Sequence, residues 1–198
     1  MTAARFRIGR VDIALHPLAL FSVLALVLTE NTVYSVGVLL CAVLHEAGHI
    51  AALYRCGGKL LSFSFLPCGL EIGMSPLSYK KEIIVALCGP LANAAAAVLF
   101  SLAASKGAFL LFCVDCNAFL ALFNLLPLCG FDGALIVRNL SFLILPYQKA
   151  LLVQKTLEPL CYALFLALCA AACRFSGFNL SLCVILFYVL CCMLCRKA

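Results

Sequence analysis

The sequence predicts an all-helical, polytopic membrane protein with one small β-element, and three observations lead there. Hydrophobic residues fill 66% of the 198 positions and charged residues only 11%, against about 45–50% and about 25% in soluble domains. Six apolar runs recur along the chain, most of them near the ~20 residues that a helix needs to cross a bilayer. Twelve of the 14 Lys and Arg fall in alternate segments between those runs, the bias that orients a membrane protein. These features exclude a cytosolic globular domain, a coiled coil, a collagen-like chain and a disordered chain. The formal charge of +6 therefore reads as topology, with no nucleic-acid partner, and the length fits a single membrane-embedded domain over residues 1–198.

The first predicted span is Pro17 to Thr29. It follows Arg5, Arg7 and Arg10 as a signal-peptide core would, but no small-x-small cleavage site comes after it, and Glu30-Asn31 reads as a tight turn into the next helix. The other spans are predicted at Val33 to Tyr54, Glu82 to Ala104, Ala108 to Leu126, Thr156 to Cys173 and Leu180 to Cys195. With the N-terminus in the cytoplasm, only Lys106 and Arg174 fall outside. Both termini are thus expected on the cytoplasmic side of the cell membrane. Between the second and third spans, Leu61-Ser62-Phe63-Ser64-Phe65 alternates with period two, Pro67, Cys68 and Gly69 form a turn, and Leu70-Glu71-Ile72 resumes extended. A β-hairpin is predicted within Gly57 to Met74, at the cytoplasmic membrane surface. Its open edge cannot face lipid and must lie against protein or water.

The 14 cysteines sit mostly inside apolar runs, where Cys serves as a small apolar filler and not as a disulfide framework. Two C-x-x-C pairs, Cys113 with Cys116 and Cys192 with Cys195, fall on opposite faces of the membrane in this topology. A shared four-cysteine zinc site is not expected.

The chemistry lies in the second span, which carries His45-Glu46-Ala47-Gly48-His49. Charged groups inside a span are costly and face a partner or a water-filled cavity. At 3.6 residues per turn both imidazoles lie on one helix face and can bind one Zn²⁺, while Glu46 can take a proton from a water that zinc has activated. A catalytic zinc takes three protein ligands, so one must come from elsewhere. Glu30 and Asp115 are predicted outside, Glu71 and Glu82 are interfacial, and Asp12 and Glu158 lie near span ends. Asp132 suits best, because it follows the helix-breaking Pro127 and Gly130 at the end of the fourth span, on the same side as His45 and His49. It could also cap a helix over Gly133 to Leu140, and the two roles can coexist. His16, just before Pro17, reads as a helix-boundary residue. In the third span Gly89-Pro90-x-x-Asn93 reads as a kinked helix whose small face admits a neighbour and whose Asn bonds across to it. Asn93 and Asn124 are also candidates to hold the substrate backbone or the oxyanion, with packing the weightier reading.

His45-Glu46-x-x-His49, Gly89-Pro90-x-x-Asn93 and Asn124-x-x-Pro127 followed by Asp132-Gly133 resemble the motifs of the site-2 protease family of intramembrane zinc metalloproteases. The order of elements is most similar to the stage IV sporulation, pro-sigma-factor-processing branch. It shares the His16-Pro17 start, the six spans, the hairpin after the catalytic helix and the Leu66-Pro67-x-Gly69 turn. That branch carries a C-terminal regulatory CBS domain, which is not expected in a chain ending at Ala198. The resemblance implies one catalytic Zn²⁺ held by His45, His49 and Asp132, with Glu46 as general base and Gly89, Pro127 and Gly133 as structural motif positions. Its implied partners are a membrane or membrane-associated protein substrate and an inhibitory membrane partner. Two other functions fit the same polar residues: a transporter or ion-binding protein using the His/Glu/Asp cluster without catalysis, and a zinc-holding protein that only binds partners. A transport path would need polar residues across the whole membrane, and here they gather at one end.

Overall fold

Small side chains decide how the helices of this chain meet. The computed structural model describes residues 4–9, 11–15, 32–66, 69–103, 107–128 and 130–176. The predicted first and sixth spans, His16, the Pro67-Cys68 turn and the Cys192/Cys195 pair lie outside the described residues. Five helices are described: α1 (Thr32–Arg55), α2 (Tyr79–Ser101), α3 (Ala108–Asn124), α4 (Asp132–Ile144) and α5 (Tyr147–Ser176). Three candidate spans, α1, α2 and residues Tyr147–Ala167 of α5, are long and apolar enough to cross a membrane, and α3 is a shorter apolar helix.

The burial pattern inverts that of a soluble bundle. Most of the interior positions of α1 to α3 are small or polar, among them Ser35, Gly37, Cys41, Ala86, Gly89, Ala96, Ala97, Cys113, Asn117 and Ala121, with Leu53 and Val85 the large aliphatic exceptions, whereas Leu40, Val43, Val98, Leu99 and Leu122 point outward and are exposed. Where lipid solvates the large apolar groups, small residues and polar bonds are what draw helices together. The helix α2 is central and packs against α1, α3 and α4. A Cβ on Gly48 of α1 would stand 2.5 Å from the Cys88 carbonyl oxygen of α2, so these two backbones touch because position 48 has no side chain. Pro90 lies within α2, which continues through it.

At one end of the bundle stands a four-stranded sheet in the order β1 (Ala4–Ile8), β2 (Val11–Leu15), β3 (Leu60–Leu66), β4 (Gly69–Met74). The hairpin β3–β4 agrees with the period-two pattern, but it is only half of the sheet. The N-terminal strands pair with each other, and β2 runs parallel to β3, with Asp12 opposite Ser62 and Leu15 opposite Phe65. Arg5-Phe6-Arg7-Ile8 and Asp12-Ile13-Ala14-Leu15 do alternate, so Arg5 and Arg7, counted in the orientation signal, also belong to a strand. The sheet is anchored where Leu60 and Met74 pack on the cluster of Ala52, Leu53 and Val85 that joins α1 to α2. That same end gathers the charges: Lys81 Nζ donates to the Cys56 carbonyl at 2.8 Å, and Arg138 Nη2 lies 3.7 Å from Glu82 Oε2.

The boundary before α4 differs from the expectation that Asp132 caps it. Phe131 occupies the N-cap, without a side-chain capping bond, and Asp132 is the first helical residue. Its carboxylate is turned to α1 instead.

Candidate metal centre

His45 and His49 stand one above the other on α1, 6% and 9% exposed, their rings 4.7 Å apart between centroids. His49 Nδ1 donates to the Val85 carbonyl of α2 at 2.8 Å, and His45 Nδ1 faces Asn93 Oδ1 of α2 at 2.6 Å. Both rings therefore turn Nε2 toward the start of α4. There Asp132 Oδ2 lies 3.1 Å from His45 Nε2 and 3.2 Å from His49 Nε2, and the two Nε2 atoms are 3.1 Å apart. Three donors at about 2.0–2.1 Å from a tetrahedral ion would stand roughly 3.3–3.4 Å from one another. The triangle is within a few tenths of an ångström of that shape, and two neutral imidazoles with one carboxylate form a donor set suited to catalytic zinc. Among the described residues, these are the three His, Cys, Asp or Glu side chains whose ligand atoms all lie within 4.8 Å of one another.

Glycines give the triangle its room. A Cβ on Gly89 would lie 2.2 Å from His49 Nε2, and one on Gly133 would lie 2.2 Å from the Leu125 carbonyl oxygen. The first lets α2 back directly onto the imidazole; the second lets the start of α4 fold under the end of α3. Between α3 and α4 the backbone breaks, and Gly130 adopts φ +90°, a left-handed conformation natural to glycine. Pro127 lies in this break, beside Leu128 and Phe131, which pack on Tyr162 of α5. The break is therefore clamped by apolar contacts, which fixes the direction in which Asp132 leaves it.

The remaining predicted residues separate clearly. Glu46 is half-buried and within electrostatic range of His49, His45 and Asp132. Asn124 ends α3, with its Nδ2 donating to the Leu120 carbonyl at 3.0 Å. Asn93 is fully buried, its Oδ1 at His45 and its Nδ2 donating to the Cys41 carbonyl and to Asn117 Oδ1. Those bonds occupy both hydrogens of its Nδ2 and set its Oδ1 against His45, the interhelical bonding that the weightier packing reading of Asn93 expects. Sequence reasoning missed Asn117, also fully buried. The signal was present: an Asn inside an apolar span, seven residues before Asn124 and so on the same helix face.

No family model matches the chain, and no curated protein does. Among solved structures, the Site-2 Protease from Methanocaldococcus jannaschii is similar, with a TM-score of 0.68 and 21% identity over 94% of this chain and 91% of that chain. The chain has a site-2 protease fold. At this identity what is shared is the path of the chain, over nearly the full length of both proteins. Within the site-2 protease fold of this chain, α1 and α4 bring together a His-His-Asp cluster that can hold a metal ion.

Proposed function

We propose that the protein is an intramembrane zinc metalloprotease that hydrolyses a peptide bond in or near a transmembrane or membrane-associated segment of a regulatory protein. The observation that carries this reading is the triangle of His45 Nε2, His49 Nε2 and Asp132 Oδ2, with edges of 3.1 to 3.2 Å, set in a site-2 protease fold. His45, His49 and Asp132 would hold the ion. When bound, zinc supplies Lewis acidity, polarising a carbonyl and lowering the pKa of water toward ~7. Glu46, beside His45 on the helix, takes the proton of the attacking water and returns it to the leaving amine.

The basic segments around Arg55, Lys59, Lys80, Lys81 and Arg138 favour a cytoplasmic sheet end, with both termini on that side. His49 precedes Arg55 by six residues, or about 9 Å of helix, so the cut would fall close to the cytoplasmic face and release a fragment inward. A substrate helix must unwind to expose its scissile carbonyl. With β2 already seated on β3, the hairpin can accept an added strand only along β4. Of the two candidates to meet the substrate, Asn93 and Asn124, Asn124 at the end of α3 has its Nδ2 on the Leu120 carbonyl and offers Oδ1 to the substrate backbone. Within this class, the order of motifs favours the pro-segment-cleaving stage IV sporulation branch.

Asp132→Ala tests the assignment. Loss of an outer-shell partner alone costs ~10–100-fold in metal affinity, so loss of a ligand should cost at least as much. Zinc per chain after buffer exchange is expected to fall well below one, together with cleavage of a co-expressed membrane substrate. Full zinc in Asp132→Ala would remove Asp132 from the ligand set.

A further inference from the structure

Behind His45, away from the triangle, a chain of buried amides can be oriented in only one way. Backbone carbonyls accept hydrogen bonds and never donate them. The Asn117 atom 2.8 Å from the Cys113 carbonyl is therefore its Nδ2, and the Asn93 atom 3.0 Å from the Cys41 carbonyl is its Nδ2. That leaves Asn117 Oδ1 to accept from Asn93 Nδ2 at 2.7 Å, and Asn93 Oδ1 to face His45 Nδ1 at 2.6 Å. An amide oxygen cannot donate, so His45 Nδ1 must carry a proton, and in the neutral ring, the form that binds a metal, the lone pair is then left on Nε2. That is the atom facing His49 and Asp132.

Asn93 and Asn117 are 0% exposed, and Asn117 Nδ2 also donates to the buried Cys41 sulfur at 3.0 Å. Nothing from solvent can replace a bond lost in this chain. Asn93 Nδ2 has two hydrogens: the Cys41 carbonyl takes one and Asn117 takes the other, which fixes the amide plane as well as its direction. Three helices meet here, since Cys41 belongs to α1, Asn93 to α2 and Asn117 to α3.

We infer that Asn117 is a positioning residue for the metal centre, acting through Asn93 to hold His45 as the Nδ1–H tautomer with Nε2 presented. This rests on the reading of His45 as a metal ligand. Asn117 reaches the His45 ring through Asn93, while its bond to Cys41 Sγ offers a route around Asn93, and the double variant separates the two.

The test uses the full chain in detergent micelles, with Asn117→Leu, Asn93→Leu and the double variant. Zinc affinity is measured by competition with a chelator, and the state of the His45 ring by ¹⁵N NMR. Asn117→Leu is expected to weaken zinc about tenfold alone and less than about twofold when Asn93 is already Leu. Equal losses in both backgrounds, or no loss in either, would overturn the inference. Asn117→Ala gives the same cycle if Leu prevents folding. Without metal, Nδ1 of His45 is expected to be protonated in the unsubstituted chain and to lose that proton to Nε2 in a measurable fraction of Asn117→Leu. An unprotonated Nδ1 in the unsubstituted chain, or the same ring state in both, would also overturn it. A chain that takes up no zinc sinks the metalloprotease reading instead, and the ring state then decides the role of Asn117 by itself.

Discussion

Replacing Glu46 by Gln is expected to reduce cleavage of a co-expressed membrane substrate about 10²–10⁴-fold, the usual loss when a general base is removed, while one zinc per chain remains. The two halves of this result follow from the geometry. Glu46 is not one of the three donors of the triangle, so the isosteric amide leaves the ion its ligands. Gln can neither take the proton of the attacking water nor return it to the leaving amine, the two tasks assigned to Glu46. Metal analysis and a cleavage assay on the same preparation separate the outcomes. Unaltered cleavage would remove Glu46 as the base, and zinc lost together with activity would make it a ligand.

The second large effect is expected at a residue with no functional group. An Ala at position 89 would place its Cβ 2.2 Å from Nε2 and 2.4 Å from Cε1 of His49, far inside van der Waals contact. The ring has no easy retreat, because its Nδ1 is tied to the Val85 carbonyl. Nor can the helices part cheaply, since Gly48 holds α1 directly against Cys88 of α2. Gly89→Ala is therefore expected to displace His49 and weaken zinc ~10–100-fold, on the scale of a lost supporting contact. Gly107→Ala is the control, as a Cβ there meets nothing within 4 Å. Wild-type zinc affinity in Gly89→Ala would show that His49 does not need its present position.

What could be read from the sequence depended on whether a residue's chemistry is local. His45, Glu46 and His49 were legible because the helical repeat alone puts both imidazoles on one face. Asp132 is legible as the acidic residue at a helix break on the correct side, whereas its place as the first helical residue, behind a Phe131 that packs on Leu128 and Tyr162, depends on tertiary contacts. Asn93 could be foreseen as a residue that bonds to a neighbouring helix; that the neighbour is His45 depends on how closely α1 and α2 approach, a matter of Gly48 and Gly89. The strands at Ala4–Leu15 were hidden for another reason. Their alternation is real, but a short edge hairpin becomes a sheet only when something else supplies its partner, and that partner lies beyond residue 59.

That partnership constrains the order of assembly. Asp12 pairs with Ser62 and Leu15 with Phe65, so β2 and β3 close a loop that contains all of α1. Hairpins β1–β2 and β3–β4 can each form as their own residues become available, whereas the bond between them is long-range and must overcome the entropy of that closure. The parallel pair therefore carries a larger closure cost than either hairpin, with α1 inside the loop that it closes. The sheet is thus a latch across the helix that carries both histidines: it joins the segments on either side of residues 16–59 and ties both ends of that stretch to one place.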